Sequence, residues 1–90
     1  MSYRDIRKEI EVLGVGTAKD RALLISTDCA AKELGMPVHI VLVSSLDRFL
    51  EAGICAIPAL IVEGQVVSEG RLPAMSEIMD MLQQPKAQRA

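Results

Sequence analysis

A short apolar strand that breaks at two glycines and runs directly into a helix constrains this chain more than any other feature. The stretch from residue 11 to residue 24 reads EVLGVGTAKDRALL. Val12 and Leu13 supply half-buried strand positions, and Gly14 and Gly16 permit the backbone angles of a tight turn. We expect whatever this chain does to take place at this junction.

Thr17 and Asp20 begin the helix in the pattern T-x-x-D, which predicts a capping box. In that arrangement the threonine hydroxyl accepts a hydrogen bond from an early helix N–H, and the carboxylate reaches back to the N-cap backbone. Asp20 is also well placed against the positive end of the helix dipole. A well-capped helix start explains both residues without any function, so a structural and a functional interpretation both stay open here.

Length and composition indicate one small domain. The chain has 90 residues, half of them hydrophobic, which is enough to bury about 60–65% of the unfolded surface. We expect residues 1–90 to form a single domain with its core at about 8–82, a loose lead-in at 1–7 and a loose tail at 84–90. The net charge of −2 is spread along the chain, and only two residues are aromatic. Nucleic-acid binding is therefore not expected.

The location expected from the sequence is cytoplasmic. The first ten residues are charged and lack the apolar core of a signal peptide, and no apolar run approaches the roughly 18 residues of a membrane span. Cys29, Cys55 and His39 lie too far apart in the sequence to form a convincing zinc site. No metal, cofactor or membrane partner is predicted, and both cysteines are expected to be free thiols.

The patterning predicts seven elements in the order β-α-β-α-β-β-α. Strands are expected at 8–13, 38–43, 59–62 and 65–68. Helices are expected at 18–34, from a cap at Ser44 to an end at Gly53, and from Pro73 to about Leu82. The first crossover should be parallel and right-handed, and Glu63-Gly64 should close a tight hairpin. The predicted fold is α/β, with one four-stranded mixed sheet and helices on both faces.

Two details of the middle of the chain are predicted from local pattern alone. Residues 38–43, VHIVLV, are apolar on both faces, which is typical of a strand covered by helices on each side. Ser44 and Asp47 repeat the S-x-x-D cap and are expected to open the second helix. The side chains expected to face inward from that helix are Leu46, Phe49 and Leu50.

The order of motifs resembles the thioredoxin superfamily, in particular its small thioredoxin- and glutaredoxin-like members. The resemblance covers about Lys8 to Leu82: the strand, glycine turn and long helix, then GICAIPAL, the EG hairpin, Gly70-Arg71 and an amphipathic final helix. It implies a thioredoxin-like fold and a role in a thiol-redox context such as cell redox homeostasis. It also implies that Pro58 is the family's cis-proline.

In that family the strand–helix junction carries C-x-x-C, because a helix N-terminus favours the thiolate of the first cysteine and the second resolves the mixed disulfide. Aligned without gaps, those two positions are Thr17 and Asp20. Neither side chain can perform thiol–disulfide exchange. The resemblance therefore implies a thioredoxin-like domain in which a capping box replaces the catalytic dithiol.

Three functions follow as hypotheses. The first is a non-catalytic module that binds a protein or peptide by strand addition, in a groove at Gly16, Ala56, Ile57 and Pro58. The alternative is a monothiol redox protein or thiol sensor using Cys55. The third is anion or nucleotide binding at residues 14–19, although that stretch lacks the remaining residues of a phosphate-binding motif and Asp20 would repel the ligand.

The two cysteines are not expected to pair with each other. Cys29 lies twelve residues beyond Thr17, roughly 18 Å along the helix axis, whereas Cys55 is expected near the junction. No sequence neighbour of Cys55 supplies a positive charge that would favour its thiolate, so an inert Cys55 is the simpler interpretation.

An apolar interface is expected away from the core stripe of the first helix. Leu24 and Ile25 lie off that stripe, and Met75 or Met79 is also expected to look outward. Such a surface favours a homodimer or a partner protein. The alternative is that these side chains pack under residues 1–7.

Overall fold

The computed structural model describes residues 7–84 and confirms the predicted fold class and element order. The elements are β1 (Lys8–Leu13), α1 (Ala18–Glu33), β2 (Val38–Val43), α2 (Leu46–Ala52), β3 (Ala59–Val62), β4 (Gln65–Glu69) and α3 (Met75–Gln83). The lead-in and tail predicted to be loose lie outside the described residues, apart from Arg7 and Gln84. No helix between residues 7 and 84 has the length and apolar character needed to cross a membrane.

The four strands form one mixed sheet in the order β2-β1-β3-β4. β1 pairs in parallel with β2, with Ile10 opposite Ile40, and antiparallel with β3, with Leu13 opposite Ala59. A parallel pair needs a long crossover connection, and α1 supplies it. The last residue of β1 and the first of β3 therefore lie side by side at one end of the sheet.

Each face of the sheet buries its own apolar cluster, because successive strand side chains point to opposite faces. On one face, strand residues such as Ile10 and Leu60 pack against α1 and α3. On the other face, Leu13 and Ile61 pack against Phe49 and neighbouring residues of α2. The prediction of helices on both faces is confirmed.

The hairpin between β3 and β4 closes at the two residues that the sequence indicates. Glu63 has φ 51° and Gly64 has φ 82°. Positive φ at both central residues is the geometry that matches the twist of a two-residue hairpin. β3 and β4 are antiparallel neighbours, as expected.

β2 is an edge strand, and the prediction that helices cover both of its faces is wrong. Val41 and Leu42 each keep 37% of their surface exposed. The reason is that α2 is a seven-residue helix whose packing residues lie mainly over β1 and β3. An apolar run can therefore arise from an open edge as well as from a covered strand.

The second helix begins one residue later than predicted and faces a different way. Its N-cap is Ser45, whose hydroxyl accepts from Arg48 N at 3.3 Å, so the Ser44 cap is wrong. Leu46 and Leu50 are 70% and 71% exposed, and only Phe49 of the three predicted inward residues packs on the core. Phe49 and Ala52 share one face of the helix, which turns both leucines toward solvent. The predicted end at Gly53 is confirmed.

Replacing a buried core leucine and an exposed leucine of α2 with alanine should have different effects on stability. Leu60→Ala empties a fully buried site and should lower the free energy of unfolding by about 2–5 kcal/mol. Leu46→Ala removes an exposed side chain and should change it by no more than about 0.5 kcal/mol. Denaturant unfolding measures both, and equal losses would contradict the observed orientation of α2.

Candidate functional site at the helix start and the proline loop

The predicted capping box is present at the start of α1. Thr17 is the N-cap residue, and its Oγ1 accepts a hydrogen bond from Asp20 N at 3.2 Å. In return, Asp20 Oδ2 accepts from Thr17 N at 3.0 Å. The two residues thereby satisfy each other's backbone donors, as the T-x-x-D pattern predicts.

Asp20 does more than a capping box requires. Its Oδ2 also accepts from Val15 N at 2.7 Å and from Gly16 N at 2.9 Å. The residue is only 1% exposed, so the carboxylate lies inside the turn and not on the surface. Sequence reasoning missed these two bonds, because they depend on the path of the backbone between Gly14 and Thr17.

The two glycines of the junction are needed for different reasons. A Cβ built on Gly14 would lie 2.4 Å from Asp20 Cγ, so only glycine leaves room for the buried carboxylate. Gly16 has open space around it but adopts φ 90°, a conformation that favours glycine. The G-x-G spacing is therefore explained by the seating of Asp20 and by the turn.

The hydrogen bonds determine the charge of Asp20. Burial by itself would raise the pKa of the Asp20 carboxyl, but hydrogen bonds from Thr17, Val15 and Gly16 outweigh burial and hold that pKa below its ordinary value. The junction thus carries a fixed negative charge at neutral pH. The N–H groups of Val15, Gly16 and Thr17 are already occupied and Asp20 adds a negative charge that opposes an anion, so the structure gives no support to anion binding at residues 14–19.

The loop of residues 54–58 lies beside the junction, because it leads into β3 next to the end of β1. Its Ile57–Pro58 peptide bond is cis. Pro58 is buried and its carbonyl accepts from Gly70 N at 2.8 Å, while Cys55 N donates to Glu69 Oε1 at 2.8 Å. These bonds fasten both ends of the loop to the end of β4.

The middle of this loop keeps its backbone available. Between residues 7 and 84, the N–H and C=O groups of Ala56 and Ile57 have no hydrogen-bond partner. Both residues line a shallow groove of about 300 Å³. Leu46 and Leu50, which were wrongly predicted to lie in the core, form part of its wall. The full lining is Leu46, Phe49, Leu50, Ile54, Cys55, Ala56 and Ile57.

The predicted groove residues are thus only partly brought together. Ala56 and Ile57 line the groove, Pro58 lies buried next to them, and Gly16 is not part of the lining. The contribution of α2 was missed. The exposed Leu46–Leu50 pair at i and i+4 was its signal in the sequence, but the same pair is equally typical of a core stripe.

Both cysteines are free and exposed. Cys55 lies in the groove, and its backbone N–H donates to the Glu69 carboxylate. Cys29 lies on α1, outside this groove. Within residues 7–84, no group of three or more His, Cys, Asp or Glu side chains is placed to hold a metal ion.

The four residues of the predicted apolar interface lie in different environments. Leu24 and Ile25 line a second groove of about 290 Å³ between α1 and β2, and neither methionine contributes to it. Met75 is exposed, whereas Met79 is half-buried against the core. Packing of these residues under the lead-in falls outside the described residues.

Comparisons with known proteins point to one family. A family model described as a thioredoxin domain matches residues 8–83. A thioredoxin of Methanothermobacter thermautotrophicus strain Delta H is 34% identical over 74 residues, which cover 82% of this chain and 96% of that relative.

Replacing the buried carboxylate should destabilise the fold. Asp20→Asn keeps the shape but removes the charge that accepts three N–H bonds, and should lower the free energy of unfolding by about 1–3 kcal/mol at pH 7. Asp80→Asn changes an exposed carboxylate on α3 and should have little effect. Chemical denaturation of both variants measures the difference.

The effect of Asp20→Asn should depend on pH in one direction. Because folding lowers the pKa of Asp20, its stabilisation is complete above the ordinary aspartate pKa of about 3.9 and is lost as the pH falls through the folded value. The stability gap between wild type and Asp20→Asn should stay constant from pH 7 to about 5 and shrink below about pH 4. A gap that widens on acidification would contradict this account.

Proposed function

Because this chain belongs to the thioredoxin-domain family, we propose that it is a protein- or peptide-binding module that works in a thiol-redox context without a catalytic dithiol. The observation that carries the proposal is the closed junction at the start of α1. In an ungapped alignment, Thr17 and Asp20 take the positions of the family's two cysteines, and their polar groups are used up by the capping box.

Disulfide exchange at this junction would lack both its nucleophile and its electrostatics. A thiolate at a helix N-terminus is favoured by free N–H groups and by the positive end of the dipole. Here the N–H groups of Val15, Gly16 and Thr17 donate to the Asp20 carboxylate, which also offsets the dipole. The negative charge that a thiolate would carry at this position is supplied by the Asp20 carboxylate, which cannot be oxidised to a disulfide.

The groove beside the junction supports binding. The free backbone groups of Ala56 and Ile57 can pair with an extended segment, which is strand addition. Leu46 and Leu50 offer an apolar wall for a side chain of that segment. Such a contact requires no cysteine, so loss of the dithiol leaves it intact.

The charges around the groove favour a basic partner. Asp47 and Glu51 are exposed on α2 next to the two leucines. The one basic residue of that helix, Arg48, is shared between two carboxylates, with its Nε 3.0 Å from Glu11 Oε2 and its Nη1 3.7 Å from Glu51 Oε1. Asp47 is left without a partner ion among residues 7–84 and carries the unbalanced negative charge. We therefore propose a segment with an apolar anchor followed by Lys or Arg.

The wider assignment follows the same proposal. Residues 8–82 are the core of a single domain, and the family match over residues 8–83 supports this range. We place the protein in the cytoplasm, with no nucleic acid, metal or cofactor among its ligands.

Selection from a displayed library of random peptides tests the binding proposal. We expect enriched peptides to combine an apolar anchor with a basic residue. Leu50→Glu should weaken their binding at least about tenfold, because it puts a carboxylate into the apolar wall. Fluorescence anisotropy with a labelled peptide measures the change.

Ile25→Glu is the matched control, because Ile25 is similarly exposed, at 62%, and lies on the helix that covers the opposite face of the sheet. It should leave peptide affinity unchanged. Failure to enrich any peptide, or equal losses in the two variants, would count against the groove as the binding site.

The exposed thiol of Cys55 supports a second candidate, a monothiol redox protein. In that mechanism the Cys55 thiolate attacks glutathione disulfide, the new S–S bond joins Cys55 to one glutathione, and the other leaves as a thiolate that takes up a proton. The reaction needs an accessible thiol, which the groove provides.

Glutathione disulfide distinguishes the two candidates. Under the binding proposal, Cys55 in the folded protein should form the mixed disulfide no faster than in the urea-unfolded chain, because the Glu69 carboxylate lies nearby. Cys55→Ser should bind the selected peptides like wild type. Mass spectrometry follows the adduct, and a faster reaction in the folded protein would favour the monothiol function.

A further inference from the structure

The two edges of the sheet differ in how they are protected. β4 has an irregular register opposite Leu60 and Ile61 and carries Glu69 at its end. β2 contains six residues without Lys, Arg, Asp, Glu or Pro, pairs with β1 in an unbroken register, and exposes Val41 and Leu42. Edge strands are normally protected from pairing with another chain by charges, prolines or bulges. β2 lacks these features and is therefore open to pairing with another strand.

An apolar groove adjoins this open edge. Leu24, Ile25 and Asp28 of α1 and Ile40 of β2 line it, with a volume of about 290 Å³. α1 packs over β1 and β2, so the groove lies between the helix and the strand at the rim of the sheet. Any strand added to β2 would bring its own covering helix up to this groove.

We infer that this edge binds a second copy of the chain, with β2 antiparallel to β2 of the other copy across a twofold axis. Opposing residues in an antiparallel pair point to the same face, so the pairing must be centred on one residue. Ile40 is the centre that fits the groove, because it lies on the face covered by α1. The product is one eight-stranded sheet with two neighbouring α1 helices.

Standard spacings allow the two helices to touch. Adjacent strands are about 4.8 Å apart, so a helix seated over the gap between β1 and β2 lies about one strand spacing from the twofold axis. The two copies of α1 would then be about 10 Å apart, which is the distance of packed helices. Ile25 lies at this contact and would lose its exposure.

Charge complementarity points to a copy of the same chain as the occupant. The exposed side of α1 carries Arg21 on one side of Leu24–Ile25 and Asp28 on the other. In the antiparallel arrangement that sets Leu24 opposite Ile25 of the partner subunit, Arg21 meets Asp28 of the partner subunit, and symmetry makes this contact twice. Within residues 7–84, Arg21 forms no ion pair of its own, whereas Asp28 is shared with Lys32 at 3.0 Å on the surface.

Sedimentation equilibrium over a range of concentrations tests the inference. Wild type should approach twice the chain mass of 9.8 kDa. Ile25→Glu should weaken the dimer at least about a hundredfold, because it brings two carboxylates into an apolar contact. Its circular dichroism should match wild type and its unfolding should remain cooperative, since Ile25 contributes nothing to the core of one copy.

Leu50→Glu serves as the matched control on the other face of the sheet and should leave the dimer intact. Arg21→Asp should weaken the dimer roughly tenfold, and adding Asp28→Arg should restore most of the affinity. Peptide binding at the α2 groove is a separate readout, because that groove lies on the opposite face.

Three results would overturn the inference. Wild type could remain a monomer at roughly millimolar concentration. Leu50→Glu could dissociate the dimer while Ile25→Glu does not, which would place the interface at the α2 groove. The exchange of charges at Arg21 and Asp28 could fail to restore affinity, which would contradict the antiparallel register.

Discussion

The Asp20 carboxylate fixes the geometry on which the rest of the functional region depends. One oxygen accepts N–H bonds from Val15, Gly16 and Thr17, so the end of β1, the turn and the start of α1 are held by a single buried group. Only glycine fits at position 14, since a Cβ there would collide with the Asp20 carboxylate. The direction in which α1 leaves the sheet, and hence its packing on α3 and β2, follows from this anchor.

The two halves of the site then have opposite characters. The junction is closed, because its donors and its one charge satisfy each other internally. The proline loop is open, because Ala56 and Ile57 keep their backbone groups unpaired within the described chain while bonds from Gly70 and Glu69 hold the loop in place. In this thioredoxin domain the unpaired backbone groups therefore lie in the loop, next to the exposed leucines of α2, and not in the turn before α1.

Features that depend on neighbours in the sequence could be predicted, and features that depend on packing direction could not. The bounds of β1 and β2, the hairpin at Glu63-Gly64 and the capping box each follow from a local pattern. The orientation of α2 does not, because a two-turn helix with apolar residues on adjacent faces can dock either way. The contribution of α2 to the groove was missed for the same reason: Leu46 and Leu50 have the composition of a core stripe and become a surface only after Phe49 has docked.

The buried position of Asp20 also affects how readily cysteines could be introduced at this junction. Introducing cysteine at Thr17 alone would set a thiol beside a buried carboxylate that already holds the local N–H groups. Introducing cysteine at Asp20 alone would leave those N–H groups without an acceptor inside the turn. Cysteine at position 20 removes that acceptor whether or not residue 17 is also cysteine, so a return to a dithiol form is opposed chiefly at Asp20.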